Sequence, residues 1–550
     1  MPNDTNFDES ALQAEKLWLM QYDRQVKRTL PTSGLTIKDT IKQLVAANPH
    51  RAHIIYHGQV LTYQDSNALA CKLANALIKM GCQKGDCISI ILPNVPEIII
   101  SFMACYKTGM IAVGFNPRST EAEIKSNLNN HRAKTVIVNQ ENADKIIKLM
   151  HKKETSVRKV IVLGNSENSN EEHVYGFYKL VNNEEDIEPD MSVLPEDIAI
   201  LLYTGGTTGI RKGCCHTNRA LVEEQRAFYN WFTPTLKKQE TRNLMCAPMT
   251  HIMGINFGIN WGLINGGSVV IVDTPTTENI IEAINQYEPT MWATVPALMN
   301  GLIHHPDIKG SRIGALEIVI YGGASTAKET IKQFKNISHA KLIEGYGMSE
   351  CVGIATMSPI TTESKFGSIG IPISDTDVMV VDPIDGIKVL PPDQKGEIII
   401  RGPQVIKEYW ENPEETAHAI RNGWLYTGDI GYMDDDGFLY LVDRKKDMII
   451  VGGFNVYPRE IDELLFTHPK IIEACTIGIP DPRLGEVPKS FVVLKSGETL
   501  GAEEVRAFCR EKMIAYKVPK IVEFVDIIPK TMVNKPDKEA LKRMEEKLLK

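Results

Sequence analysis

The chain has 550 residues, a formal net charge of −8 and ten cysteines. That length exceeds what one hydrophobic core serves and calls for two or more domains. The mild acidity excludes a protein built mainly to track nucleic-acid phosphate, which would carry a concentrated basic face.

The opening "MPNDTNFDES" is polar and acidic, unlike a signal peptide, and the cysteines show no zinc-type pair. A cytoplasmic protein with reduced, mostly buried thiols is therefore expected. "NALACKLANALIKMG", residues 67–81, reads as an amphipathic helix ending on a Gly suited to a C-cap. The most apolar stretch, "CISIILPNVPEIIISFMACYKTGM" at 87–110, is broken by Pro93, Asn94, Pro96 and Glu97. It predicts strand, turn and buried helix rather than a bilayer span, leaving peripheral membrane contact open. The runs "TVIVN", "KVIVLG", "IAILLYTG" and "SVVIVD" alternate with amphipathic segments as far as about residue 280. Such alternation predicts an α/β fold, with parallel sheets covered by helices.

After about residue 370, "VMVVDP", "GEIIIRG" and "FLYLVDR" are separated by turn clusters and suggest a smaller β-rich subdomain. The consecutive acids Asp434, Asp435 and Asp436 before Gly437 suit a hairpin turn better than a calcium loop. From "DRKKD" at 443–447 a compact α+β unit begins, with strand "MIIV", Gly452-Gly453, helix "PREIDELLFTHP" and strand "EACTIGIP". A charged, exposed tract before a self-contained unit places a domain boundary near Lys446, dividing residues 1–443 from 447–550.

Three Gly-rich loops each follow an apolar strand: "YTGGTTG" after "IAILL", "YGGAS" after "LEIVI" and "EGYGMSE" after "KLI". Each alone is readable as a turn; together, at the carboxyl ends of strands in an open α/β sheet, they predict one shared crevice. The first is neither a Walker loop nor a GxGxxG fingerprint. It keeps the logic of a phosphate cradle all the same. Gly205, Gly206 and Gly209 admit an anion to backbone N–H groups, Thr204, Thr207 and Thr208 offer hydroxyls, and Lys212 brings charge.

"YTGGTTGIRKG", "YGGAS", "EGYGMSE", "YTGDIGYMDDDG", "DRKKDMIIVGGFNVYPREIDE" and "PKTMVNK" occur in the order of the adenylate-forming superfamily. The chain resembles that superfamily from about residue 40 to its end. The Gly-Gly start of the Thr-rich loop and "EKLWLMQYD" look most like the fatty-acyl-CoA ligases. The resemblance implies an ATP-dependent acid–thiol ligase. A hydrophobic monocarboxylic acid becomes an acyl-AMP with loss of pyrophosphate, and the acyl group then passes to CoA with loss of AMP.

By that resemblance, the 204–212 loop wraps the β- and γ-phosphates, Glu350 anchors Mg²⁺ and Ser349 contacts the α-phosphate side. Ser349 stands where Thr is commoner and keeps the hydroxyl; locally, Ser349-Glu350 also reads as a helix-start cap. Adenine lies against Tyr346 and the Gly322-Gly323-Ala324 backbone, a core tyrosine being the alternative for Tyr346. Asp429 takes the ribose hydroxyls with Arg444 nearby. Lys535 supplies the second charge; Pro536 pushes it out of helical geometry, and Asn534 replaces the usual Gly while tolerating φ > 0.

Rotation about the hinge at Lys446 brings Gly452 and Gly453 to a pantetheine channel, although a turn explains that pair as well. His251 lies by the acyl carboxylate, or else is a core histidine. Gly254, Phe257, Gly258 and Trp261 suggest an apolar wall with gaps for an acyl or aryl tail. Ile255 takes the place of the gating Trp of some long-chain ligases. Two rival readings are transfer to a carrier-protein thiol and a catalytically silent nucleotide binder. A monomer or homodimer acting on a small acid, ATP and CoA is expected.

Overall fold

The computed structural model describes residues 16–164, 171–203, 212–236, 241–324, 326–362, 364–530 and 536–548. Two large sheets hold most of the chain. Along the first, neighbouring strands run Ile371–Pro372, Thr356–Met357, Lys341–Tyr346, Ile318–Gly322, Met291–Thr294, Arg242–Met245, Ser268–Ile271, Ala52–Tyr56 and Gln59–Thr62. Along the second they run Glu408–Tyr409, Gly213–Thr217, Ile198–Tyr203, Ile111–Gly114, Cys87–Ile91, Thr135–Asn139, Lys159–Leu163 and Val174–Gly176. The middle of each sheet is parallel, as the alternation predicts. Both edges of the first sheet and the Glu408–Tyr409 edge of the second are antiparallel, which the alternation does not reveal, while the Val174–Gly176 edge stays parallel.

The apolar stretch at 87–110 forms the strand Cys87–Ile91 and the helix Pro96–Thr108. Proline sits in the helix's first turn, where the missing N–H costs nothing, and Gly109 closes it at φ +69°. Every helix residue from Ile98 to Thr108 is buried. Its side chains share one core with Ile88 and Ile90 of the second sheet and with Val269 and Ile320 of the first. A helical layer thus lies between the two sheets, so a helix apolar all round is the expected solution. The helices Asn218–Phe232 and Ile255–Asn265 contribute to the same core, the latter with π-type winding.

The glycines of that π-helix correct the expectation of gaps. Gly254, Gly258 and Gly262 repeat every four residues and form a packing ridge. A Cβ on Gly254 would lie 2.1 Å from the Pro248 carbonyl oxygen, and one on Gly258 would lie 3.0 Å from both Met245 and Met249. The chain's own atoms fill the space, and Phe257 and Trp261 are buried beside them.

The β-rich subdomain is a sheet of Asp377–Val381, Gly396–Arg401, Trp424–Met433 and Ile420–Arg421, with Leu439–Arg444 hairpinned onto Trp424–Met433. Asp434 and Gly437 close that hairpin as expected. Gly437 at φ +86° also lets the N-terminal segment pass, since a Cβ there would lie 2.3 Å from the Trp18 nitrogen. The C-terminal unit is a fourth sheet built on the long hairpin Ile471–Asp481 and Gly485–Leu494, covered by the helix Pro458–Phe466. All ten cysteines are buried free thiols. Among the described residues no helix is long and apolar enough to cross a membrane.

Gly254 has a helix-compatible φ of −68°, so Gly254→Ala meets a purely steric obstacle. It should lower unfolding free energy by about 1–3 kcal/mol in urea titrations. Gly310→Ala, where a Cβ meets nothing within 4 Å, should stay within about 0.5 kcal/mol of the parent.

Candidate active site

The strands Trp424–Met433 and Leu439–Arg444 pair so that Asp429 stands opposite Arg444. Arg444 Nε lies 2.7 Å from Asp429 Oδ1. Tyr346, at the end of a strand in the first large sheet, donates its hydroxyl to Asp429 Oδ2 at 2.6 Å. The Asp429 residue is only 1% exposed, and burial raises its carboxyl pKa against the opposing pull of Arg444 and Tyr346. Although Oδ1 is close to the guanidinium, it receives no aligned hydrogen bond. A buried acceptor of this kind suits a donor from outside the chain.

The Gly-rich turn before Tyr346 has two distinct reasons for its glycines. Gly322 pairs with Gly345 in the parallel ladder, and a Cβ on Gly322 would lie 2.2 Å from the Gly345 oxygen. Its missing side chain is therefore a strand-packing requirement, which corrects the reading of Gly322 as ring space alone. Gly323 has φ +74° with open space where a Cβ would be, and Ala324 beside it is exposed. These two positions leave room for a flat ring.

Ser349 and Glu350 begin the short 3₁₀ turn Ser349–Cys351. Its N-cap is Met348, so Ser349 is the first residue of the turn and not its cap. Val352 follows in the left-handed region at φ +54°, a strained setting for a β-branched residue. Its carbonyl accepts from the Asn256 side-chain amide, which also donates to Glu224 Oε1 at 3.1 Å. Glu224 is buried, and burial raises its pKa well above the carboxylate range. Glu224 and Asn256 thus tie the π-helix to the turn that presents Glu350.

Tyr409 is the residue the motifs did not reveal. Its hydroxyl donates to Glu350 Oε1 at 2.8 Å, and its ring centre lies 5.3 Å from Lys212 Nζ. Lys212 comes from the second sheet and Glu350 from the first, so Tyr409 joins the two loop ends. Its short strand pairs with Cys214 and Cys215, which is invisible locally because the partner is some 200 residues away. One signal lay in "KEYWENPEET", an aromatic pair ahead of an Asn-Pro helix start.

The remaining candidates lie apart from this group or beyond view. Thr204, Gly205, Gly206, Thr207, Thr208, Gly209 and Lys535 lie outside the described residues. His251 is exposed, which removes the core-histidine reading, and its Nδ1 accepts the Met253 N–H at 3.3 Å. Lys446 sits in a 3₁₀ turn with Nζ 3.9 Å from Glu539 Oε1. Gly452 and Gly453 form the two-residue turn between Ile449–Val451 and Phe454–Val456, at φ +56° and +88°. Positive φ at both positions is what such a hairpin requires, so the turn alone accounts for the pair.

This is a nucleotide-activating α/β enzyme in fold and in site chemistry. The AMP-binding enzyme family model matches residues 41–410, and that of the AMP-binding enzyme C-terminal domain matches 460–535. The chain belongs to this family, the adenylate-forming enzymes. It is 33% identical over 551 residues to a long-chain-fatty-acid–CoA ligase of Bacillus subtilis strain 168, covering 95% of this chain and 97% of the relative. A feruloyl-CoA synthase of Amycolatopsis is 31% identical, over 88% of this chain and 94% of the relative. The structure of ATP-bound MatB from Rhodopseudomonas palustris superposes with a TM-score of 0.83 at 25% identity, covering 94% of this chain and all of that one.

Glu344, two residues before Tyr346, accepts from the Tyr321 hydroxyl at 3.3 Å. Burial lifts its pKa to about 7 despite Tyr321 and the nearby Arg459 charge. The folded chain then holds this proton more tightly than the unfolded one. Its stabilising contribution is complete below the ordinary carboxyl value of 4.5 and is lost as pH rises through about 7. Glu344→Gln should reduce the fall in urea-measured stability between about pH 5 and about pH 8 by up to about 3 kcal/mol.

Proposed function

We propose that the acid is a fatty acid. The enzyme is an ATP-dependent acyl-CoA ligase that forms an acyl-adenylate and then a thioester. The fatty-acid reading rests on the whole-length likeness to a fatty-acid ligase. Pyrophosphate release across a panel of fatty, cyclic and aromatic acids, with and without CoA, tests it. Fastest turnover on a fatty acid with acyl-CoA formed is the expected outcome. Preference for an aryl acid would replace the substrate, and pyrophosphate without acyl-CoA would point to another thiol.

The observation that carries the assignment of the nucleotide site is Asp429, a buried carboxylate with an acceptor lacking an aligned donor. In this reading Asp429 receives the ribose hydroxyls, and Arg444 beside it opposes the effect of burial on the carboxyl. Tyr346 holds Oδ2, and its ring borders the adenine together with Gly323 and Ala324. Thr204 to Gly209 cradle the β- and γ-phosphates, with Lys212 matching their charge. Glu350, with the Ser349 hydroxyl beside it, fits Mg²⁺, which is commonly bound through one or two carboxylates plus substrate phosphates. The ion would neutralise phosphate charge. Tyr409 orients Glu350 by donating to one oxygen and leaving the other to act. His251 would border the acyl carboxylate from its exposed position.

Lys535 completes the charge around the α-phosphate while the acid attacks, an interaction made only as charge develops. We assign the domain break to residues 444–446, with rotation about Lys446 withdrawing Lys535 and admitting CoA past Gly452 and Gly453. Lys535→Ala should lower adenylate formation by roughly 10²–10³-fold while sparing thioester formation from supplied acyl-adenylate. Equal losses in both half-reactions would remove that role. Substitution at Gly453 does not test the channel, because φ +88° strains any other residue there.

A further inference from the structure

Lys212, the cation assigned above to the phosphates, is already matched by an internal carboxylate. Its Nζ forms an ion pair with Glu415 Oε2. Glu415 belongs to the helix Pro413–Ala419, whose cap Asn412 accepts the Glu415 N–H at 3.2 Å. Thr416 of the same helix accepts the Tyr409 N–H at 3.0 Å. Glu415 and Tyr409 are therefore set around Lys212 by one short segment, and Tyr409 reaches on to Glu350. The contact holds the Glu415 carboxyl below its ordinary range, chiefly through the hydrogen bond from Lys212.

The exposure of the pair decides its character. The side chains of Lys212 and Glu415 are 30% and 41% exposed, so water screens their attraction and the pair is easily exchanged. A triphosphate brings several negative charges to the same ammonium, and a carboxylate left beside it would repel them. We propose that Glu415 is a displaceable counter-ion that occupies Lys212 until the ATP phosphates replace it and recaptures the lysine as pyrophosphate leaves. The inference rests on the reading of Lys212 as a phosphate ligand. Its consequence runs against the usual result of mutating an active-site acid: removing the charge strengthens nucleotide binding, because ATP no longer competes with an internal anion.

Calorimetric titration of MgATP into the full chain, its Glu415→Gln, Glu415→Ala and Lys212→Ala variants and the Lys212→Ala/Glu415→Gln double variant tests this. Glu415→Gln and Glu415→Ala should each tighten ATP by roughly twofold to fivefold. Pyrophosphate should become a stronger product inhibitor of Glu415→Gln by a similar factor. In the Lys212→Ala background the Glu415→Gln gain should vanish, the signature of a pairwise coupling. Unchanged or weaker ATP binding in both Glu415 variants, with Lys212→Ala still weakening it, overturns the counter-ion and leaves the phosphate reading standing. Lys212→Ala without effect on ATP overturns both.

Discussion

The helical layer shared by the two large sheets is the constraint from which the site follows. Pro96–Thr108 packs on strands of the second sheet, Ile255–Asn265 packs on strands of the first, and the two helices pack on each other. Each fully buried large aliphatic or aromatic side chain contributes about 1.5–3 kcal/mol. With that layer filled, the two sheets are held in one relation. The strand ends carrying Lys212 and Glu350 are then close enough for a single tyrosine ring and hydroxyl to span them. The glycines at 254, 258 and 262 serve the same end by admitting the Pro248–Met249 backbone, the Met245 and Met249 side chains, and the His53 ring with the Gly267 carbonyl, respectively.

Two energetically costly features lie at the edge of this core. Asp429 is buried beside a half-exposed arginine, with one oxygen held by Tyr346 and the other without an aligned donor. Val352 keeps a left-handed backbone whose carbonyl is secured by Asn256.

The alternation of β-branched runs with amphipathic segments was enough to read an α/β chain with a β-rich subdomain and a separate α+β end, because side-chain periodicity records which face is buried. The Asp434–Gly437 turn and the buried helix after Pro96 were legible for the same local reason. Less could be read wherever a residue's meaning depends on a distant partner. Gly322 seemed to be ring space until its neighbour Gly345 was seen across the ladder. His251, in an apolar stretch, is exposed because it caps the start of a helix instead of entering the core.

The sequence by itself indicated the class of chemistry: six motifs, each readable locally as a turn or cap, occur in the order of the adenylate-forming superfamily. It also determined the order of the domains along the chain. Only the tertiary structure decided that Tyr409 lies between Lys212 and Glu350, that Glu415 faces Lys212, and that the π-helix glycines pack against the chain itself. Those contacts join residues up to about 200 positions apart and arise from how the two sheets pack on one shared layer. No local window of sequence carries that information, because packing distance is a property of the folded whole.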